Sequence, residues 1–152
     1  MGNYVLVNEK AVIGSNGFTF TDDLEGNKIR IPTLGGVIIG NHVEIGAHDN
    51  ISRGTGGNTV IEDYVKLDAL VHVGHDDLIH KNSEITAGTT LGGYDEIGEH
   101  VFMGLNSSAK NRISIDDGCK IDMGTVIVRS VKGNKTMFGN PGREMRVPRV
   151  EE

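Results

Sequence analysis

Ile61-Glu-Asp-Tyr-Val-Lys-Leu67-Asp-Ala-Leu-Val-His-Val73-Gly-His75-Asp-Asp-Leu-Ile79 begins a stretch, residues 61–132, in which an apolar residue recurs at every sixth position. The members of this series are Ile61, Leu67, Val73, Ile79, Ile85, Leu91, Ile97, Met103, Ala109, Ile115, Ile121 and Ile127. A period of six fits neither the 3.6-residue helix nor the alternating strand. An unbroken repeat of this length indicates a solenoid, in which each coil covers the next.

Each hexapeptide is predicted to form a short strand and a turn, with its apolar first residue pointing inward. The fifth residue is small or β-branched in most repeats, and Asp77 and Asp95 are the exceptions. Three hexapeptides then make one triangular coil, and successive coils pair as parallel strands about 4.8 Å apart. Residues 61–132 are expected to make four coils, and residues 39–60 one more with an offset of four residues within 53–58.

Composition narrows the classes of protein and of partner. The net charge of −6, from 15 basic and 21 acidic residues, argues against a nucleic-acid partner, which needs a basic surface. Cys119 is the single cysteine, and we find neither a signal peptide nor an apolar span of about 18 residues, so we expect a soluble cytoplasmic protein without a transmembrane segment. The 22 glycines and the 5% aromatic content favour a narrow aliphatic interior with many tight corners.

Two segments depart from the period. Around residues 17–36, Phe18 and Phe20 alternate before a polar turn, which predicts a β-hairpin inserted into the solenoid, with an irregular surface loop as the alternative. We assign residues 1–138 to a single solenoid domain that contains this insertion. Residues 139–152, which begin Gly139-Asn-Pro-Gly-Arg143, are expected to leave it as a C-terminal tail with a loop and an extended strand.

Several further motifs lie along the chain: Ile13-Gly-Ser-Asn-Gly-Phe-Thr-Phe20, Lys28-Ile-Arg-Ile-Pro32, Val37-Ile-Ile-Gly-Asn-His-Val-Glu-Ile-Gly46, Ile51-Ser-Arg-Gly54, Thr59-Val-Ile61 and Val65-Lys-Leu-Asp68, ending at His75. Together they resemble the hexapeptide-repeat acyltransferases, and in particular the UDP-3-O-acylglucosamine N-acyltransferases of lipid A biosynthesis. The resemblance covers nearly the whole chain. It implies an all-β fold, a left-handed parallel β-helix, assembled as a homotrimer with active sites in the clefts between subunits.

The same resemblance implies an acyltransferase of lipopolysaccharide-type sugars, which moves an acyl group from a thioester to the amine of a nucleotide-linked amino sugar. The sequence departs from the lipid A enzymes in three ways. His75-Asp76 stands where they have His-Asn, Arg112 stands at a second family histidine, and from the length of the sequence we expect neither their N-terminal uridine-binding domain nor their helical C-terminal extension. Because Gly139-Asn-Pro-Gly-Arg143 resembles the ending of acetyl-CoA-dependent members, we expect acetyl-CoA as the donor, with acyl carrier protein and sugar O-acetylation as alternatives.

Candidate site residues follow from the resemblance and from the three-hexapeptide coil. His75 is expected to act as general base, because a neutral imidazole accepts a proton from an attacking amine. Gly93 lies one coil later, where its N–H can bind the oxyanion of a tetrahedral intermediate. Asp68 matches the family carboxylate that orients the imidazole, and Asp76 is the alternative by adjacency.

The remaining candidates bind the two substrates. For the acceptor sugar they are His72, Asp76, Phe18 and Phe20. For the phosphates of the acyl carrier they are Lys110, Asn111, Arg112 and Arg143. Charge-assisted hydrogen bonds make such groups suitable for phosphate.

Two other classes of protein use similar solenoids. His75 and His80 have the spacing of two zinc ligands in γ-type carbonic anhydrases, but the third ligand would fall at Ile39 or Gly35, neither of which can bind zinc. No metal is therefore expected. A non-catalytic trimeric scaffold is the remaining alternative.

Overall fold

The structure is a computed structural model, and it describes residues 1–144. The part of the tail at residues 145–152 lies outside the described residues. The described part of the chain contains 21 short strands, and most of them build a parallel solenoid. Residues 1–144 contain no helix, and hence no helical membrane span.

The solenoid strands follow one another around a triangle, so that every third solenoid strand lies on the same side. In chain order they are β1 (Leu6–Val7), β2 (Val12–Ser15), β3 (Phe20–Asp22), β4 (Lys28–Arg30), β5 (Val37–Ile39), β6 (Glu44–Ile45), β7 (Asn50–Ser52), β8 (Thr59–Ile61), β9 (Lys66–Leu67), β10 (His72–Val73), β11 (Leu78–Ile79), β12 (Glu84–Ile85), β13 (Thr90–Leu91), β14 (Glu96–Ile97), β15 (Phe102–Met103), β16 (Ser108–Ala109), β17 (Ser114–Ile115), β18 (Lys120–Ile121), β19 (Val126–Ile127), β20 (Thr136–Phe138) and β21 (Arg143–Glu144).

Three sheets form the sides of the triangle. Sheet A has the order β1-β6-β9-β12-β15-β18-β20-β21, sheet B the order β19-β16-β13-β10-β7-β2, and sheet C the order β17-β14-β11-β8-β5. The solenoid pairs are parallel, as between Leu78 and Glu96, which occupy the same position in successive coils. The six strands of sheet B correspond to six coils.

The periodic apolar residues fill the interior, as the hexapeptide repeat predicts. Ile61, Ile79, Ile97 and Ile115 are each 0% exposed and lie above one another in sheet C. Burying such a side chain stabilises the fold by about 1.5–3 kcal/mol for each residue. Each coil therefore contributes three aliphatic side chains to one continuous core.

The corners are turned by the fourth residue of each hexapeptide, and most of these residues are not glycine. Tyr64, Leu70, Asp76, Asn82 and Tyr94 all have φ between 59° and 63°, in the left-handed region. Many glycines serve a different purpose, because they allow close approach between coils. A Cβ at Gly74 would lie 1.7 Å from the Gly92 carbonyl oxygen. The composition indicated tight corners, and among the described residues most of the left-handed positions are held by residues other than glycine.

The two insertions into the regular coil both lie at one corner, between sheet B and sheet C, here called the B–C corner. Val12 pairs with Asn50, far beyond one regular coil along the chain, because residues 17–36 are inserted in the first coil. Asn50 pairs with His72, again more than one regular coil later, because four extra residues lie between β7 and β8. The later coils cross this corner in short turns, at residues 74–77 and 92–95.

The two irregular segments of the described chain are locally antiparallel. β3 and β4 form a hairpin in which Phe20 pairs with Arg30. Near the C-terminus, β21 folds back on β20, pairing Phe138 with Arg143. The segment 139–144 therefore stays on the solenoid rather than leaving it.

Candidate active site

The B–C corner carries a cleft of about 720 Å³ that runs across five coils. Its lining residues are Asn16, Phe18, Thr19, Phe20, Ile31, Asn50, Ser52, Thr55, His72, Gly74, His75, Gly92, Gly93, Tyr94, Asn111 and Arg112. The two insertions form its wall on the N-terminal side. Since most of the predicted site residues face this cleft, it is the candidate active site.

His75 follows β10 and is held at one ring nitrogen. Its Nδ1 lies 2.9 Å from Asp76 Oδ2 and 3.2 Å from Thr55 Oγ1. A carboxylate can only accept a hydrogen bond, so Nδ1 carries a proton. In the neutral imidazole, Nε2 is therefore the unprotonated nitrogen.

Asp76 is itself fixed by the four-residue insertion. The backbone N–H groups of Thr55 and Gly57 donate to its two carboxylate oxygens, at 2.7 and 3.2 Å. Burial raises the pKa of Asp76, but the hydrogen bonds from Thr55, His75 and Gly57 outweigh it and hold that pKa below its ordinary value. Asp76 is thus ionised at neutral pH, and its negative charge favours the protonated Nδ1 of His75.

Glycines lie on both faces of the imidazole. A Cβ at Gly17 would lie 2.9 Å from the Cβ of His75, and a Cβ at Gly93 would lie 3.0 Å from its Nε2. The Gly93 carbonyl accepts the Arg112 N–H at 3.0 Å, whereas within residues 1–144 no oxygen accepts the Gly93 N–H. Glycine at position 93 therefore allows the backbone to pack against Nε2, and its N–H is left without an acceptor among the described residues.

His72 presents the opposite tautomer. The Asn50 amide lies 3.1 Å from His72 Nδ1, and Ser15 Oγ donates to Asn50 Oδ1 at 2.7 Å. The amide nitrogen of Asn50 donates to Nδ1, so the proton of His72 lies on Nε2. Burial and the neighbouring His75 lower the pKa of His72, which keeps it neutral. His72 is a fixed, uncharged hydrogen-bond donor on the cleft wall.

The C-terminal side of the cleft is aromatic and basic. Tyr94 meets the His75 ring edge to face, with centroids 5.0 Å apart. The Arg112 guanidinium lies 4.3 Å above the Tyr94 ring, a cation–π arrangement. The His75 ring, the Tyr94 ring and the Arg112 guanidinium therefore lie in a row across three successive coils, which places a positive charge two coils from the imidazole.

The inserted hairpin closes the other side. Phe18 and Phe20 pack edge to face, with ring centroids 4.9 Å apart, and Arg30 lies over Phe20 at 4.5 Å. Arg30 also donates to the Gly17 carbonyl at 2.7 Å, which holds Gly17 against His75. The hairpin therefore provides an apolar surface beside the imidazole.

Asp68 does not orient His75, contrary to the sequence-based expectation. It lies at the preceding corner, between sheet A and sheet B, where its oxygens accept the N–H groups of Ala69 (2.7 Å) and Ala87 (3.2 Å). The chain between Asp68 and His75 spans one side of the triangle, so the two side chains belong to different corners. Asp76, the alternative by adjacency, makes the contact.

Three further placements refine the predicted set. The oxygens of Asp76 are occupied by His75, Thr55 and Gly57, so Asp76 supports the site rather than contacting a substrate. Of the four carrier-binding candidates, Asn111 and Arg112 line the cleft, but Lys110 does not. Arg143 lines a separate cavity of about 550 Å³ at the C-terminal end, together with Arg129 and Lys135.

Thr55 and Tyr94 were missed by sequence reasoning. Tyr94 could have been found, because it lies exactly one regular coil after Asp76 and shares its corner position. Thr55 had no such signal, since it lies in the insertion that breaks the spacing. His80, considered as a zinc ligand, bridges Glu62 (3.1 Å) and Glu96 (3.2 Å), and residues 1–144 contain no cluster of three or more side chains suited to a metal ion.

No family model matches the chain, but individual relatives do. UDP-3-O-acylglucosamine N-acyltransferase 2 of Legionella pneumophila (strain Paris) is 42% identical over 141 residues, covering 93% of this chain and 41% of that protein. The enzyme of the same name from strain Lens is 50% identical over 101 residues, covering 66% and 29%. The chain thus spans less than half the length of these curated relatives.

Solved structures show the same fold at lower identity. LpxA from Acinetobacter baumannii superposes with a TM-score of 0.80 at 22% identity, covering 95% of this chain and 61% of that one. The acetyltransferase domain of PglB from Neisseria gonorrhoeae, solved with acetyl coenzyme A, gives 0.75 at 22%, covering 93% and 58%. With its hexapeptide repeat, its triangular coils and these sequence relatives, the chain belongs to the left-handed β-helix, hexapeptide-repeat acyltransferases.

Proposed function

We propose that this protein transfers an acyl group from a thioester to the amine of a nucleotide-linked amino sugar. The observation that carries the proposal is the His75 imidazole, whose Nδ1 is bound by the ionised Asp76 while Nε2 lies next to Gly93 on the wall of the cleft. This arrangement provides a base with its lone pair in the cleft and a backbone donor next to it.

The chemistry requires one proton to be moved twice. His75 Nε2 takes the proton of the acceptor amine as the amine nitrogen bonds to the thioester carbonyl carbon. The Gly93 N–H donates to the oxygen of the tetrahedral intermediate. When the carbon–sulfur bond breaks, the imidazolium returns the proton to the leaving thiolate, and the ionised Asp76 stabilises the cation in between.

The acceptor sugar is proposed to bind on the side of the inserted hairpin. Phe18 and Phe20 provide an apolar face for the sugar, and the Nε2–H of His72 donates to an acceptor oxygen. The acyl carrier is proposed to approach from the other side, where Asn111 and the cationic Arg112 line the cleft.

We further propose acetyl-CoA as the donor. The ending Gly139-Asn-Pro-Gly-Arg143 and the acetyl coenzyme A complex of the PglB domain support this choice. The competing donor is an acyl carrier protein with a lipid A-type acceptor, which the names of the sequence relatives favour.

A thiol-release assay tests both donors. The protein is incubated with acetyl-CoA or with acyl carrier protein bearing a 3-hydroxyacyl chain, against a panel of UDP- and dTDP-linked amino sugars. Thiol release with acetyl-CoA is expected, with loss of about 10²–10⁴-fold in His75→Ala at unchanged melting temperature. Release only from the carrier protein would overturn the donor assignment, and full activity in His75→Ala would overturn the mechanism.

A further inference from the structure

Asp95 is a buried carboxylate at the B–C corner, one coil beyond the corner that carries His75. It is 1% exposed. Its Oδ2 accepts the Gly92 N–H and its Oδ1 accepts the Ile113 N–H, both at 3.0 Å. One oxygen therefore binds within its own corner and the other binds the next coil.

The same pair of bonds occurs at another corner, where Asp49 accepts the Gly46 N–H and the Val71 N–H, both at 2.8 Å. The corner with Ser83 at the equivalent position keeps only one of these bonds. Ser83 Oγ accepts the Val101 N–H of the next coil at 3.0 Å and donates to the Gly98 carbonyl. The bond to the backbone N–H within the same corner thus requires the longer carboxylate.

At Asp95 this additional bond comes from the Gly92 N–H, which belongs to the backbone segment beside the His75 imidazole. Gly92 immediately precedes Gly93, whose Cα faces His75 Nε2, and Gly92 also packs on Gly74, the residue before His75. Asp95 is itself anchored, because its N–H donates to Asp77 Oδ1 at 2.8 Å. Hydrogen bonds thus run from Asp77 through Asp95 to Ile113 in successive coils, and they hold the backbone of this corner in place.

We infer that Asp95 is a positioning residue for acyl transfer: by binding the Gly92 N–H, it sets the place of the Gly93 N–H relative to His75 Nε2. This inference rests on the proposed function. Asp95 differs from an ordinary core residue because its two bonds have different roles. Its bond to the Ile113 N–H links two coils, whereas its bond to the Gly92 N–H holds the backbone of the cleft. A displacement of about 1 Å in such a site costs about 100-fold in rate.

Asp95→Ser separates the two bonds. A serine can accept the Ile113 N–H as Ser83 accepts the Val101 N–H, but it does not reach the Gly92 N–H. We expect kcat to fall about 10- to 100-fold, KM for both substrates to stay within about 2-fold, and the melting temperature to fall no further than in a variant that loses one buried hydrogen bond. Amide exchange at Gly92 should accelerate in the variant, whereas exchange at Ile113 should not.

Ser83→Ala is the matched control, because it removes a buried bond between coils at a corner outside the cleft. It should lower the melting temperature and leave kcat unchanged. If Asp95→Ser retains wild-type kcat, or loses activity only in proportion to its unfolding, the inference is wrong. His75→Ala distinguishes this failure from failure of the proposed function, since an active His75→Ala enzyme would contradict the general-base mechanism itself.

Discussion

The Asp76 carboxylate determines which nitrogen of His75 can act as a base. Two backbone N–H groups and the imidazole surround it, so it remains ionised well into the acid range. A general base needs a fixed tautomer as well as a suitable pKa. Here the tautomer depends on a loop of four inserted residues rather than on the regular coil.

Asp76→Asn should lower activity without unfolding the protein. The amide oxygen of asparagine, the residue that the lipid A enzymes carry at this position, can still accept the Nδ1–H of His75, but without a negative charge it stabilises the imidazolium less well. We expect kcat/KM to fall about 10-fold in the thiol-release assay. Asp68→Asn is the control and should retain activity within about 2-fold; the reverse pattern would restore Asp68 as the orienting residue.

Asp77 predicts how stability depends on pH. Burial raises its pKa to about 7, and its Oδ2 is buried without a hydrogen-bond partner among residues 1–144. Because the folded pKa lies above the ordinary value of 3.8, the unfolded chain loses this proton first as pH rises. The contribution of Asp77 to stability therefore declines between about pH 4 and pH 7.

Asp77→Asn removes that ionisation, so the variant should be more stable than wild type at pH 8, by about 1–3 kcal/mol. At pH 4 the difference should be small. Urea unfolding at both pH values measures it. Asp95→Asn should instead destabilise at pH 8, since both of its oxygens accept N–H groups; equal effects of the two variants would refute this account of Asp77.

The B–C corner is the element in which regular repeat and irregular insertion meet. The regular coils supply Gly93 and Tyr94 at positions that follow from His75 and Asp76 by the coil length. The insertions supply Gly17 and Thr55, and their contacts depend on loop conformations that no period encodes. Consequently the fold and the placement of His75 and Gly93 in successive coils at one corner could be predicted, whereas Thr55 and the packing of Gly17 could not.

Asp68 shows what the family resemblance alone could not predict, namely which carboxylate contacts His75. The resemblance suggested the correct kind of partner for the imidazole, but the carboxylate that reaches Nδ1 is decided by the corner on which each residue lies. Assigning each residue to a corner of the triangle from the six-residue period would have placed Asp68 and His75 at different corners. Lys110 likewise lies close to Arg112 in the chain but does not line the cleft, a difference of side-chain direction that spacing does not resolve.

The two glycines against the imidazole yield a prediction for the corner itself. Gly17→Ala would press a methyl group against the His75 side chain, and Gly93→Ala would fill the space in front of Nε2. Each should lower kcat at least about 10-fold while leaving the melting temperature nearly unchanged. Gly56→Ala, whose added Cβ would meet nothing within 4 Å, should behave as wild type. An unaffected Gly93→Ala enzyme would argue against the oxyanion role.

The assembled molecule exposes apolar side chains where the hairpin projects. Phe18, Leu24 and Leu34 are exposed on the insertion. Several large apolar side chains exposed on one projecting segment commonly mark an interface. We therefore predict that the hairpin packs against a second copy of the chain in a homotrimer, as the family resemblance implies.

Light scattering coupled to gel filtration measures this directly. The wild type should have the mass of three chains, and a Leu24→Ser, Leu34→Ser double variant should dissociate at concentrations at least about 10-fold higher. Lys28→Ser, on the same hairpin but forming only an exposed ion pair with Asp22, is the control. A monomeric wild type would contradict the trimer.

The cleft draws on five successive coils, from Gly17 in the first to Arg112 in the fifth. Since a solenoid coil touches only the coils above and below it, such molecules come apart progressively from their ends. Gly17 and the loop that holds Asp76 lie in the first two of these coils. Local opening of any one of the five coils would accordingly stop turnover while most of the solenoid is still intact, so loss of catalysis reports a local event rather than global unfolding.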